Sequence, residues 1–102
     1  MDLKSIEQTL TTFSEKRDWD KFHSPKNLAI ALSVEASELL EIFQWLTEEQ
    51  SQKLSQEQIQ HTEEEIADIV IYVLNLCRKL NIDLEQAVLK KIDLNATKYP
   101  AK

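Results

Sequence analysis

Two short stretches, Glu35-Ala36-Ser37-Glu38 and Glu65-Ile66-Ala67-Asp68, each place two carboxylates three residues apart. On a helix such positions are neighbours on one face. Like charges placed this way repel, so each pair weakens an isolated helix unless something offsets it. The register sharpens the point. Leu28, Leu32, Glu35 and Leu39 follow the spacing i, i+4, i+7, i+11, and Glu65, Ile69, Tyr72 and Leu76 repeat it. Glu35 and Glu65 therefore stand at core positions of their own helices. A charge there is costly unless it is paired or binds a metal, and no Lys or Arg lies within a turn of Glu35. A bound divalent cation is the economical solution. Hard cations such as Mg²⁺ take oxygen ligands, keep several waters and complete their shell with substrate phosphates. Helix bundles also hold di-iron in paired carboxylates, but those sites add Glu-x-x-His, which does not occur here. Either pair alone is also what a solvated helix surface looks like; two pairs in core register point to a site.

The elements that carry these residues read as four main helices. Glycine is absent from the 102 residues, where an average chain would hold about seven. Hairpin turns, bulges and phosphate-cradling loops need it, so a β-rich fold, a P-loop and a Rossmann turn are all disfavoured. The spacing predicts a first helix from about Asp2 to Arg17, with Leu3, Ile6, Leu10 and Phe13 on one face. Arg17 to His23 reads as a loop or short turn. Ser24 and Pro25 form a favoured helix start, opening a second helix to about Leu46. A polar connection from Thr47 to Ser51 leads to a third helix, capped near Ser55 and running to about Leu80. Asp83 caps a fourth, to about Lys98. The run Ile69 to Leu74 could pass for a strand, but no Gly, Pro or turn cluster bounds it between Glu57 and Leu80. As a helix it is apolar nearly all round and must be covered on several sides. This predicts an all-α, four-helix bundle-type domain over residues 1–102, oligomeric through its central helices as a dimer or tetramer.

Composition narrows the partners. The net charge is −6, which disfavours nucleic-acid polymers and anionic membranes. The charge is uneven: residues 35–68 carry ten acids against Lys53 alone, while Lys90, Lys91, Lys98 and Lys102 face only Asp93 near the end. An acidic centre beside a basic segment suits an anionic substrate approached through a metal. The single cysteine, Cys77, allows no intrachain disulfide, and it reads as a small core residue. With no signal-peptide pattern at Met1 to Lys4 and no membrane-spanning run, the expected compartment is the cytoplasm.

Taken together, Val34 to Leu39 and Glu64 to Ile69 resemble the Glu-x-x-Glu … Glu-x-x-Asp signature of the MazG-like, all-α nucleoside triphosphate pyrophosphohydrolases. Three further segments resemble the dCTP pyrophosphatase branch of that family: Arg17-Asp18-Trp19 with Phe22 to Leu28, then Phe43-Gln44-Trp45, then Lys91 to Asn95 with Lys98-Tyr99-Pro100. The likeness covers about residues 13–100. It implies hydrolysis between the α- and β-phosphates of a nucleoside triphosphate, giving a monophosphate and pyrophosphate. It implies Mg²⁺ held by Glu35, Glu38, Glu65 and Asp68. Glu38 is the candidate general base, with Glu41 and Glu64 as adjacent reserves. Trp19, His23 and Trp45 would line a base pocket, and Tyr72 would contact sugar or phosphate. Lys91, Asn95 and Lys98 would meet phosphate or sugar, from the same or a neighbouring chain. The branch often carries arginines where this chain has Ala96-Thr97-Lys98, which leaves phosphate contacts and base preference open. The expected role is clearance of noncanonical or surplus dNTPs, with deoxycytidine nucleotides foremost. The alternatives are a relative acting on dUTP or phosphoribosyl-ATP, and a helical binding module without catalysis.

Overall fold

A computed structural model describes residues 1–101. Five α-helices and one short 3-10 turn make up its regular structure: α1 (Leu3–Lys16), the turn Asp20–Phe22, α2 (Pro25–Phe43), α3 (Glu48–Ser51), α4 (Gln56–Leu80) and α5 (Leu84–Lys98). No strand occurs among the described residues. Most starts follow from side-chain caps. Ser24 accepts from the Asn27 amide with Pro25 in the first turn, and Asp83 accepts from the Gln86 amide. Thr47 and Ser55 each form a reciprocal capping box, with Gln50 and Gln58 respectively.

Two boundaries differ from the sequence expectation, and both have local causes. The second helix stops at Phe43 rather than Leu46. Thr47 is extended to cap α3, so the chain tightens just before it, and the Leu46 amide donates to the Phe43 carbonyl at 2.9 Å. The Thr47–Ser51 connection, read as polar, carries the four-residue α3. At the other end of α4, Asn81 takes the left-handed conformation (φ 55°), and the amides of Asn81 and Ile82 both reach back to the Cys77 carbonyl. With no glycine in the chain, Asn is the residue best able to do this.

Packing centres on α4. It lies against α2 along much of its length and against α1 near its C-terminal half. Leu74 of α4 and Leu28 of α2 are fully enclosed, and Cys77 of α4 is also buried. No residue from Asp68 to Lys79 is exposed, so the strand-like apolar run is covered largely within the chain. Apolar surface stays exposed outside that run, on the central helices α2 and α4 and on α5. It includes Ile30, Val34 and Leu40 of α2, Ile59 and Ile66 of α4, and Val88, Leu89, Ile92 and Leu94 of α5. Helix α5 packs only marginally on the others, so one chain does not close a four-helix bundle. The radius of gyration is 16.5 Å, against about 13 Å for a close-packed domain of this length.

The αL turn yields a direct test. Asn81→Ala should lower stability by about 1–2 kcal/mol, the cost of the left-handed conformation for a residue with a Cβ and no polar side chain. Asn81→Gly should change it little. Chemical denaturation of the three proteins at equal concentration measures both.

Candidate active site

The long seam between α2 and α4 brings the acidic pairs face to face. One carboxylate oxygen from each of Glu35, Glu38 and Glu65 lies within 4.8 Å of the other two. Glu65 is buried, and Glu35 and Glu38 are half-buried. Glu35 Oε2 and Glu65 Oε2 are closed off from solvent with no hydrogen-bond partner. Such orphaned, desolvated oxygens are what a divalent cation with oxygen ligands would satisfy, so the residues fit a hard cation. His61, one turn before Glu65, sets Nε2 at 3.4 Å from Glu65 Oε1; the sequence reading did not single it out.

Burial pushes the Glu35 carboxyl up to about 7, and the neighbouring carboxylates of Glu65, Glu38 and Asp68 add to the effect. Asp68 falls outside the tight three-membered group. It stands half-buried beside it and lines the adjoining cavity.

That cavity, about 340 Å³, is bounded by α1, the segment after it and α4. Its walls include Phe13, Trp19, His23, Ile71 and Tyr72, with Ser14 and Asn75 as buried polar residues. The segment that carries Trp19 and His23 is fixed locally. Asp18 takes a left-handed conformation (φ 53°), and the Ser14 carbonyl collects the amides of both Arg17 and Trp19. Phe13 meets the Trp19 ring edge-on at 5.4 Å, and the Arg17 guanidinium lies 3.5 Å from the Phe13 ring centre. Burial lowers the His23 pKa, and the nearby Arg78 charge lowers it further. The ring is thus neutral at pH 7, and its Nδ1 is enclosed without a partner.

Six of the sequence-predicted residues therefore gather in one place: Glu35, Glu38 and Glu65 in the cluster, Asp68 between cluster and cavity, and His23 and Tyr72 on the wall. Trp19 joins them with part of its ring exposed. Trp45 does not. It lies beyond the end of α2, 85% exposed, and faces no part of the cavity. Lys91, Asn95 and Lys98 are exposed on α5 and do not reach the cavity within this chain. Sequence reasoning passed over Asn75 and Ser14. Asn75 had a signal, since it follows Asp68 by seven residues and Tyr72 by three, which puts all three on one helix face.

Fold and site together define an all-helical protein with a carboxylate cluster at the seam of its two longest helices and an aromatic cavity beside it. The chain belongs to the MazG-like family, which it matches over residues 30–102. It is 41% identical over 100 residues to dCTP pyrophosphatase 1 of Bos taurus, covering 96% of this chain and 59% of that protein. Against dCTP pyrophosphatase 1 of Homo sapiens it is 40% identical over 101 residues, covering 97% and 59%. The chain thus spans about three-fifths of the length of these curated relatives. A pyrophosphatase of known structure from Archaeoglobus fulgidus superposes with a TM-score of 0.93 at 39% identity, covering 99% of this chain and 94% of that one.

The raised Glu35 value fixes the sign of a pH effect. Its folded pKa of about 7 exceeds the ordinary 4.5, so without cation the folded state holds the extra proton. The stability it contributes is complete below about pH 4.5 and is lost as pH rises through 7. Glu35→Gln should therefore raise the metal-free melting temperature at pH 8 and leave it nearly unchanged at pH 4.5. It should also remove most of the stabilisation that wild-type protein gains from MgCl₂ at pH 8. Thermal melts with EDTA or MgCl₂ at the two pH values measure this.

Proposed function

We propose that this chain hydrolyses nucleoside triphosphates between the α- and β-phosphates, releasing a monophosphate and pyrophosphate, with deoxycytidine triphosphate the favoured substrate. The observation that carries the reading is the adjacency of two features: three carboxylates around a space fit for a hard cation, and an aromatic cavity lined by Asp68, whose charge acts on Glu35 of that group. The relatives named dCTP pyrophosphatase 1 support the choice of bond and base.

Within this reading Glu35, Glu38, Glu65 and Asp68 hold Mg²⁺. When bound, the ion neutralises the triphosphate and lowers the pKa of a coordinated water. The chain's own residues do the rest. Glu35 and Glu65, each with an oxygen sealed from solvent, serve as fixed anionic ligands. Glu38 is half-buried, and a carboxylate oxygen of Glu38 takes the proton from the attacking water. Trp19 and Tyr72 flank the base or sugar, and neutral His23 offers a hydrogen bond without adding charge. Residues 1–102 act as one unit in a homo-oligomer, dimer or tetramer. The exposed apolar faces of α2 and α5 and the marginal packing of α5 support this. In that assembly Trp45, Lys91, Asn95 and Lys98 serve the site of a neighbouring chain. The role that fits is clearance of noncanonical or surplus dNTPs in the cytoplasm. No described helix is long and apolar enough to cross a membrane.

Two measurements test the proposal. Purified protein incubated with a dNTP panel should release monophosphate and pyrophosphate in equal amounts, with MgCl₂ and not with EDTA. Orthophosphate as the first product would exclude the assigned bond. Glu38→Gln should lower kcat by about 10²–10⁴-fold while its melting temperature and assembly stay those of wild type. Separately, light scattering should give a mass at least twice the 11.9 kDa of one chain; a monomer at all concentrations would refute the assembly.

A further inference from the structure

Beside the carboxylates, a second polar arrangement links distant parts of the chain. Arg78 of α4 donates from Nη2 to Asp20 Oδ1 of the 3-10 turn at 3.3 Å, and from the same nitrogen to Asn75 Oδ1 at 3.3 Å. Lys79 Nζ stands 3.5 Å from the same Asp20 oxygen. Partial burial works against the Asp20 charge, but the Arg78 hydrogen bond and the Lys79 charge outweigh it and hold the carboxyl below its ordinary range. Asn75 is 4% exposed and lines the aromatic cavity.

A guanidinium can only donate. The Asn75 oxygen must therefore face Arg78, and the amide cannot rotate to exchange its two ends without setting its N–H₂ against Arg78. The amide nitrogen, on the other branch, is left for the cavity. We propose that Asn75, locked in this orientation by Arg78 and Asp20, is a base-reading residue that presents hydrogen-bond donors only. Set against N3 of the base, such a contact accepts cytosine, whose N3 is an acceptor, and rejects uracil and thymine, whose N3 carries a hydrogen; O2 accepts in all three and does not discriminate. Arg78 and Asp20 are positioning residues, and because Asp20 lies between Trp19 and His23 the same pair anchors the aromatic wall. The inference rests on the reading of this cavity as the base pocket, and it adds the group that distinguishes the bases there.

The test separates binding from turnover. Quenching of tryptophan fluorescence should show wild-type protein binding dCMP about 10- to 100-fold more tightly than dUMP, the range expected when a buried donor is left facing another donor. Equal affinities would overturn the inference. Selective dCMP binding with no dNTP hydrolysed would leave it standing and refute the proposed function instead. Asn75→Asp keeps an acceptor toward Arg78 and removes the donors, so the preference should shrink to near unity or invert. Arg78→Met frees the amide and should relax the preference while affecting kcat less than KM. Where either variant fails to fold, wild-type protein with 3-deaza-dCMP, in which the N3 acceptor becomes C–H, gives the answer: binding should weaken about 10-fold or more relative to dCMP, and unchanged binding would exclude the contact.

Discussion

The structure turns on like charges held out of water. Three carboxylates from two helices converge inside 4.8 Å, two of them with an oxygen that no protein group satisfies. In a low-dielectric seam this is unfavourable on both counts, desolvation and mutual repulsion. The chain alone relieves it only by holding a proton on Glu35 near neutral pH. Much of the remaining architecture serves to keep those groups together. Helices α2 and α4 pack together, and Leu28 and Leu74 are their fully buried side chains. Burial of one such side chain stabilises by about 1.5–3 kcal/mol, so a small core is set against a costly polar cluster. A cation bound at the cluster would accordingly add to the stability of the fold.

The second organising element is the link from Asp20 to Arg78. The segment Arg17–Ser24 contains no long helix and buries little, yet it supplies Trp19 and His23. It keeps its shape through the doubly used Ser14 carbonyl, the left-handed Asp18 and the Phe13–Trp19–Arg17 stack. Arg78 then ties the segment to α4. The cavity wall is thus made from a loop, which allows variation, on a fixed helical frame, which preserves geometry.

The openness of the single chain belongs to the same picture. A helix of fifteen residues whose apolar side chains stay exposed has little to stabilise it alone. Its lysines and asparagine lie exposed on a helix that packs only marginally within the protomer. Within one chain those residues stay away from the aromatic cavity.

Local rules made the helices legible in the sequence. The absence of glycine, the Ser-Pro and capping-box starts and the periodic apolar stripes act over a few residues, and the observed elements follow them closely. The metal-ligand candidates were legible for a related reason: a helix fixes which side chains share a face, so acids in core register declared themselves. What sequence left undecided involves partners far apart in the chain. Asp20 and Arg78 are separated by 58 residues, and nothing in either neighbourhood marks the other. The sequence put Asn75 on one face with Asp68 and Tyr72, but only the contact with Arg78 fixed its orientation. The core stripe likewise did not reveal that α4 finds its cover from α1 and α2 while α5 stands apart. Helical periodicity states which faces must be buried; only the three-dimensional arrangement decides what buries them.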